Sequence, residues 1–432
     1  MKLYIIHIIN VILFVSNFLF AVEFEHTRIL QLPDLDFYPG VLTGLDILEE
    51  MDFEPLSDRK IAVLTNQTAV NTKGIHLLDL LNQYKNKVTV TLIYTPEFGL
   101  FAQESEHIHY SKEENDLAFG IPVKSLWGEK FKPEKDDIQD LDLILIDLQD
   151  PGIRYFSFIT TVTKVMEVAS LYDIPVIVLD RPNPLGGVVI EGPTVRPKYQ
   201  SFIGYHLVPI RHGLTIGEYC LLINETGWIR QGFTVDLTII PMANWRRSML
   251  MDDTGFPWVN PAPDIDNLMV LHLALGMGLL EGTNLSYGLG TGFPYQIIGA
   301  PWVDSEVLMK SLHQYNLTGV TFKKIEFIPD STSIFNSYLR YKGEQCEGVK
   351  IEVTNSKDFS PLTLAITILS VTTRLYPHQF QWVRNNYIDQ IFGHDYLRIF
   401  LAQERNPLKL TATWTHDIIK FSQFREKYLL YR

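Results

Sequence analysis

Short apolar runs that end in polar clusters alternate with helical spacing through the first half of this chain. "KIAVLTN", residues 60–66, reads as an apolar strand that breaks on Asn66 and Gln67. A helical pattern over 74–84 follows, with Ile75, Leu78 and Leu81 on one face. In "VTVTLIYTPEFG" Val88, Val90, Leu92 and Tyr94 alternate with their neighbours, which predicts a strand over 88–95 that stops at Pro96 and Glu97. "LDLILIDLQD" (141–150) and "IPVIVLDRPNP" (174–184) are near-continuous apolar runs, the signature of strands buried on both faces. Helical spacing fits 158–172. Another helix fits 215–224, where Thr215 and Glu218 have capping-box spacing. A further strand fits 233–242.

Strands alternating with helices in this way predict an α/β protein with a Rossmann-like, mostly parallel sheet. The second half is of mixed character. An aromatic, proline-rich stretch follows residue 243, and a glycine-rich region spans 279–302. Beyond it, strands fit 320–328 and 348–354, a helix fits 361–375, and the last stretch is helical. The expected organisation is a Rossmann-like catalytic domain over 38–243 and a smaller α/β C-terminal domain over 244–432 that completes a cleft.

All strands of a parallel sheet end on one edge, and open α/β sheets bind ligands there. The polar clusters at the strand ends should therefore converge on one mouth. They supply Asn66 and Gln67, then Glu97, then Asp150 with Arg154 and Tyr155, then Asp180 and Asn183. Glu97 is either a solvated turn residue or an acid wedged beside Phe98. Burial would raise its pKa and suit a general acid. Arg154 either pairs with Asp150 or forks a substrate carboxylate. Asp180 either pairs with Arg181 or joins Asn183 in binding sugar hydroxyls. Arg211 and His212 stand just before a helix start, where anions bind. His212 has the plainer reading of a partner for a backbone group. Glu281 and Asn284 lie in the glycine-rich stretch "LLEGTNLSYGLGTG".

Composition narrows the chemistry. Hydrophobic residues make up 46% and charged residues 20% of 432, a globular composition large enough for more than one core. The net charge of -13 and the lack of a basic run argue against nucleic acid. The first 21 residues carry Lys2 and an apolar stretch from Leu3 to Phe20, and read as a signal peptide or an uncleaved membrane anchor. Either predicts export, to a periplasm or the cell exterior, with membrane attachment only if the segment stays. Cys220 and Cys346 are open to pairing or to remaining free thiols.

No GxSxG, HExxH, Walker or GxGxxG motif occurs, so serine-hydrolase, zinc-peptidase and nucleotide chemistry lack their signatures. No metal site and no cofactor is implied. What is left is an inventory of carboxylates, amides, arginines and aromatic rings. It suits carbohydrate, because aromatic faces stack on sugar rings and carboxylates do acid/base work.

The motifs "VLTGLDILEE", "VLTNQTAV", "TPEFGLFA", "DLQDPGIRYFSF", "VLDRPNPLGGVVIEGP", "PIRHGLTIGE" and "LLEGTNLS" occur in that order. Together they resemble the exo-β-N-acetylmuramidase family of NamZ type, long catalogued as a domain of unknown function. The resemblance runs from about residue 40 to the terminal "YLLY". It implies a Rossmann-like domain, a smaller C-terminal α/β domain, and a cleft between them. It also implies an exo-acting glycosidase that releases N-acetylmuramic acid from the non-reducing end of peptidoglycan fragments. The family's favoured catalytic glutamate falls on Glu97. Asp150, Arg154, Tyr155, Arg211, His212 and the run Glu281–Asn284 match further family positions. On this reading Glu97 is the acid, Asp150 or Glu281 is the second carboxylate or a tyrosine such as Tyr155 assists, and Arg154, Arg211 and His212 orient substrate.

The sequence departs from the family pattern at Phe98, where a histidine is usual, and at Leu100, Phe101 and Ala102, which replace Phe-Arg-Gly. Tyr287 and Leu289 stand where a glutamate and an arginine are usual. These departures motivate a second expectation, a catalytically weakened member that binds muropeptides or other glycans.

Overall fold

The computed structural model describes residues 24–35, 38–102, 117–230, 232–330, 339–383, 385–403 and 406–432. The N-terminal segment 1–21 and most of the charged, histidine-rich stretch that follows Phe98 lie outside them.

A large sheet contains β1 (Thr27–Ile29), β2 (Lys60–Thr65), β3 (Thr89–Thr95), β4 (Leu117–Ala118), β5 (Ile121–Ser125), β6 (Leu143–Asp147), β7 (Val176–Leu179) and β8 (Leu237–Ile240), in the order β1-β8-β7-β6-β2-β3-β5-β4. Every pairing is parallel except β4 with β5 at the edge. From β2 the chain builds outward through β3 and β5, then returns to lay β6, β7 and β8 on the other side. The order therefore reverses between β2 and β6, which places a crevice at the carboxyl ends of β2, β3, β6 and β7.

The period of two in the strands explains why both sheet faces are covered. Ala62, Leu64, Ile144, Ile146, Val176 and Val178 enter one core. Ile61, Val63, Leu143, Leu145, Ile177 and Leu179 enter the opposite one. The helices α1 (Gly44–Glu50), α2 (Leu77–Gln83), α3 (Phe158–Leu171) and α4 (Ile216–Glu225) supply the covering faces. The predicted capping box of α4 is present: Thr215 Oγ1 accepts from Glu218 N at 3.1 Å and Glu218 Oε2 accepts from Thr215 N at 3.1 Å.

The second unit has its own core. It holds α5 (Leu268–Met277), a 3-10 turn (Gly278–Gly282), α6 (Ser305–His313), α7 (Pro361–Leu375), α8 (Ile388–Phe392) and an antiparallel sheet in the order β10-β11-β9. These strands are β9 (Ile297–Ala300), β10 (Val320–Phe327) and β11 (Cys346–Val353). The glycine-rich reading of 279–302 passed over β9. The periodicity also passed over α5, which is buried all round and so shows no polar stripe. Gly276 of α5 has no room for a Cβ, which would lie 2.0 Å from Pro361 O of α7.

The division at 243 separates the two sheets, but the end of the chain crosses back. Helix α9 (Thr415–Arg425) and the residues after it pack Phe421 and Tyr428 into the core of the large sheet. Arg425 donates to the carbonyls of His212, Gly213 and Gly187. The α/β class, with a mostly parallel sheet followed by a smaller α/β unit, is as the patterning predicts. Cys220 and Cys346 are buried free thiols.

Candidate active site

The strand ends converge as predicted, and most of their polar groups then satisfy one another. Asn66 Oδ1 accepts from Thr68 N at 3.1 Å and Oγ1 at 2.6 Å, and Thr68 Oγ1 accepts from Gln149 N at 3.0 Å. Gln149 Nε2 donates to Pro182 O at 2.7 Å. Arg181 forks onto Asp147 and donates to Val70 O. Asp180 is fully buried and accepts from Arg181 N, Thr215 Oγ1, Gly217 N and Tyr431 Oη. Burial pushes its pKa up to about 7, against the pull of those donors. Asn183 bridges Leu214 O and Leu185 N. These residues hold the strand ends together, and none of them lines the cleft.

The sequence offers Arg154 as a partner of Asp150 or of a substrate carboxylate. It is 2% exposed and donates instead to Pro193 O, Val208 O and Ile391 O, at 2.7, 2.9 and 2.8 Å. Burial lowers its pKa to about 10, so it stays charged at neutral pH. Since Ile391 lines the cleft, Arg154 acts as a rivet behind its wall. Arg211 donates to Leu185 O, and its backbone bridges Ile153 and Glu191. His212 Nδ1 accepts from Leu214 N at 3.1 Å, the backbone partnership expected of it. Its Nε2 faces Asp150 Oδ2 at 3.5 Å, and Asp150 Oδ2 also accepts from Gly152 N at 2.9 Å. This buried Asp150–His212 pair stands behind the cleft lining.

Glu97 behaves differently. The strand β3 ends on Thr95, and the turn after it holds Phe98 at φ +71° and Gly99 at φ +65°. A left-handed phenylalanine is uncommon and marks a strained turn. Packing of Phe98 edge-on against Phe158, with ring centroids 6.4 Å apart, holds it there. Ser157 is the N-cap residue of α3, yet its side chain makes no cap bond. Its hydroxyl donates to Glu97 Oε2 at 2.6 Å. The start of α3 therefore fixes the glutamate's orientation.

Glu97 lines a cavity of about 130 Å³ between the two units. Two further carboxylates line it, Asp264 and Glu281, with Trp127, Tyr155, Phe156, Tyr287, Tyr295 and Tyr387 as aromatic walls. Glu281 sits in the 3-10 turn that follows α5. Asn284, four positions from that turn's centre, braces the neighbouring loop by donating to Gln379 O and accepting from Gln381 N. Tyr155 Oη shares its one proton between Ala274 O and Leu275 O, each at 2.7 Å, which leaves its ring as wall. A Cβ on Gly278 would meet that ring at 2.7 Å, so the ring's place depends on glycine there. Gln67 Nε2 reaches across to Asn260 O at 2.7 Å and joins β2 to the segment that carries Asp264.

Asp264 escaped the sequence reading because it belongs to no strand end. It lies in "NPAPDID", within the aromatic, proline-rich stretch that shows no periodicity. Burial alone raises its pKa to about 6. Burial and the charges of Asp264, Glu281 and Glu97 raise that of Tyr295, whose phenol therefore stays protonated. Of the positions that depart from the family pattern, Phe98, Tyr287 and Leu289 line the cavity, and Leu100, Phe101 and Ala102 are not part of its lining. Among the described residues no group of His, Cys, Asp and Glu has the arrangement to hold a metal ion.

A parallel α/β sheet joined to a smaller α/β unit, with carboxylates and aromatic rings in the cleft between, has the inventory that glycoside hydrolysis uses. Residues 61–269 match the family described as "Exo-beta-N-acetylmuramidase NamZ, N-terminal", and residues 273–431 match its C-terminal counterpart. The chain belongs to the NamZ family. It is 34% identical over 396 residues to "Peptidoglycan beta-N-acetylmuramidase NamZ" of Bacillus subtilis (strain 168), covering 91% of this chain and 92% of that one. Crystal structures of two DUF1343 family proteins from Bacteroides fragilis NCTC 9343 have the same fold. One has a TM-score of 0.81 at 29% identity, covering 92% of this chain and all of the other. The second has a TM-score of 0.73 at 26% identity, covering 91% and 99%.

Proposed function

We propose that this protein is an exo-acting glycosidase that releases N-acetylmuramic acid from the non-reducing end of peptidoglycan fragments in cell-wall turnover. Membership of the NamZ family supports the substrate class. The observation that carries the chemistry is Glu97, held by Ser157 and facing a cavity shared with two other carboxylates.

Glu97, as the carboxylic acid, gives its proton to the glycosidic oxygen while the bond from that oxygen to the anomeric carbon breaks. A water oxygen bonds to the anomeric carbon, and its proton returns to a carboxylate. Of the two candidates for second carboxylate, Glu281 is favoured, because it lines the cavity and Asp150 stands behind it. The stereochemistry follows from the separation of the carboxyl groups, about 5 Å for retention and about 6.5–9.5 Å for inversion. Proton NMR of the first-formed anomer reads it directly. The aromatic walls offer stacking faces for the sugar ring. The apolar run Leu3–Phe20 supports export, which release of the mature chain into a periplasmic or culture fraction tests.

The deciding experiment is turnover of a chromogenic N-acetylmuramide by wild type and by Glu97→Gln. Turnover by the wild type and its loss in the variant support the glycosidase. A second reading, a glycan-binding member without turnover, is favoured by Phe98, Tyr287 and Leu289 in the cavity lining. It requires muropeptide binding by a wild type that does not cleave.

A further inference from the structure

Asp264 is the cavity carboxylate that neither motif nor strand end pointed to. It is held rigidly. On one side of it, Ile265 N donates to Ala262 O at 3.1 Å and closes a turn. Ile265 O accepts from Trp258 Nε1 at 3.1 Å. Three residues on, Asn267 Oδ1 caps α5 by accepting from Val270 N at 2.9 Å. On the other, Asn260 O is bound by Gln67 Nε2. The side chain thus projects from a segment tied to both units.

Its Oδ2 is buried and has no hydrogen-bond partner among the described residues. A buried carboxylate oxygen without a donor is costly, and in a cavity lining a bound ligand can supply that donor. Burial is the cause of its shifted acidity, with no cation contributing. The complement of this acceptor is an N–H or O–H brought in by the ligand. Ala262, two residues earlier in the same turn, also lines the cavity and adds a small apolar surface beside the acceptor.

We propose that Asp264 is the specificity residue for the acetamido group of the bound sugar: its carboxylate accepts the acetamido N–H, and the surface around Ala262 receives the acetyl methyl. An amide N–H donates and cannot accept, so once buried it needs an acceptor and tolerates no second donor. A sugar hydroxyl does both and makes a weaker claim on a lone acceptor next to a methyl-sized apolar surface. Holding the substituent on C2 fixes the adjacent anomeric carbon before Glu97. The assignment rests on the reading of the cleft as a site for a 2-acetamido sugar.

The test uses two aryl glycosides that both carry the lactyl group, one with the 2-acetamido group and one with a 2-hydroxyl in its place. Wild type should prefer the acetamido substrate. Asp264→Ala should lose about 30–100-fold in kcat/KM on it, and less than about 3-fold on the 2-hydroxy analogue. Asp264→Asn keeps an acceptor oxygen and should fall between. Equal losses on the two substrates, or no loss on either, overturn the proposal. If Asp264→Ala does not fold, as read by circular dichroism, the asparagine variant carries the same comparison. A wild type that turns over neither substrate refutes the muramidase reading instead. The assignment is then judged by calorimetry with the free sugar and its 2-hydroxy analogue. Asp264→Asn must weaken binding of the first and leave the second unchanged, and any other result overturns it.

Discussion

The ends of β2, β6 and β7 and the end of β3 carry similar residues and do opposite things. At the first three, carboxylates, amides and an arginine close on each other until nearly every group has a partner. At β3 the glutamate accepts from Ser157 and lines a cavity. The difference lies in what stands opposite. The ends of β2, β6 and β7 are capped by their own loops and by the returning C-terminus, whose Tyr431 donates to Asp180 at 2.6 Å. The end of β3 faces the second unit across a gap. In this chain the polar groups at the carboxyl edge line the cleft only where that edge stays uncovered.

Substitutions on the two sides should therefore separate activity from stability. Glu97→Gln should lower kcat by about 10³-fold, in the range for loss of a general acid. Its melting temperature should stay within about 2 °C of wild type, because no core contact is lost. Arg154→Met should do the reverse. It leaves Pro193, Val208 and Ile391 carbonyls without their donor and should cost about 3–5 kcal/mol of stability in denaturant unfolding. Tyr431→Phe removes the phenol that donates to buried Asp180 and should cost about 1.5–3 kcal/mol, with kcat unchanged. A large kcat loss in Tyr431→Phe would show that the knitted strand ends belong to the catalytic machinery.

Ser157→Ala costs α3 no cap bond, since Ser157 makes none, and removes a hydrogen bond that orients Glu97. About tenfold loss in kcat, with stability unchanged, is the expected outcome in steady-state kinetics. The smallest effect is on pH. Asp264 titrates near 6 in the fold, above its unfolded value of 3.8. The folded chain then binds the extra proton, so stability falls as pH rises from about 4 to about 6 and levels off above. Asp264→Asn should flatten that limb in thermal melts, by on the order of 1–2 °C.

The parallel sheet was legible because strands with both faces apolar leave no other packing, and the alternation between 60 and 240 admits little but βα units. The convergence at one edge followed from that sheet alone. Glu97 was legible as a carboxylate on a proline turn, and Glu281 through its motif. Arg154, Asp180 and Asn183 looked like ligand-binding groups because sequence shows the charge and not the partner. Their donors and acceptors come from residues as distant as Ile391 and Tyr431. Helix α5 stayed hidden because full burial erases amphipathic periodicity.

The sequence by itself therefore determined the fold class, the edge on which the cleft lies and the glutamate placed in its lining, since these depend on local periodicity and on the rule that parallel strands end together. Tertiary structure alone decided which polar groups are rivets and which face the cleft. It brought Asp264 from the second unit to the carboxylates, and it returned the C-terminus to the first sheet. Those outcomes depend on which surfaces come to face each other across long chain separations, and no local pattern encodes that.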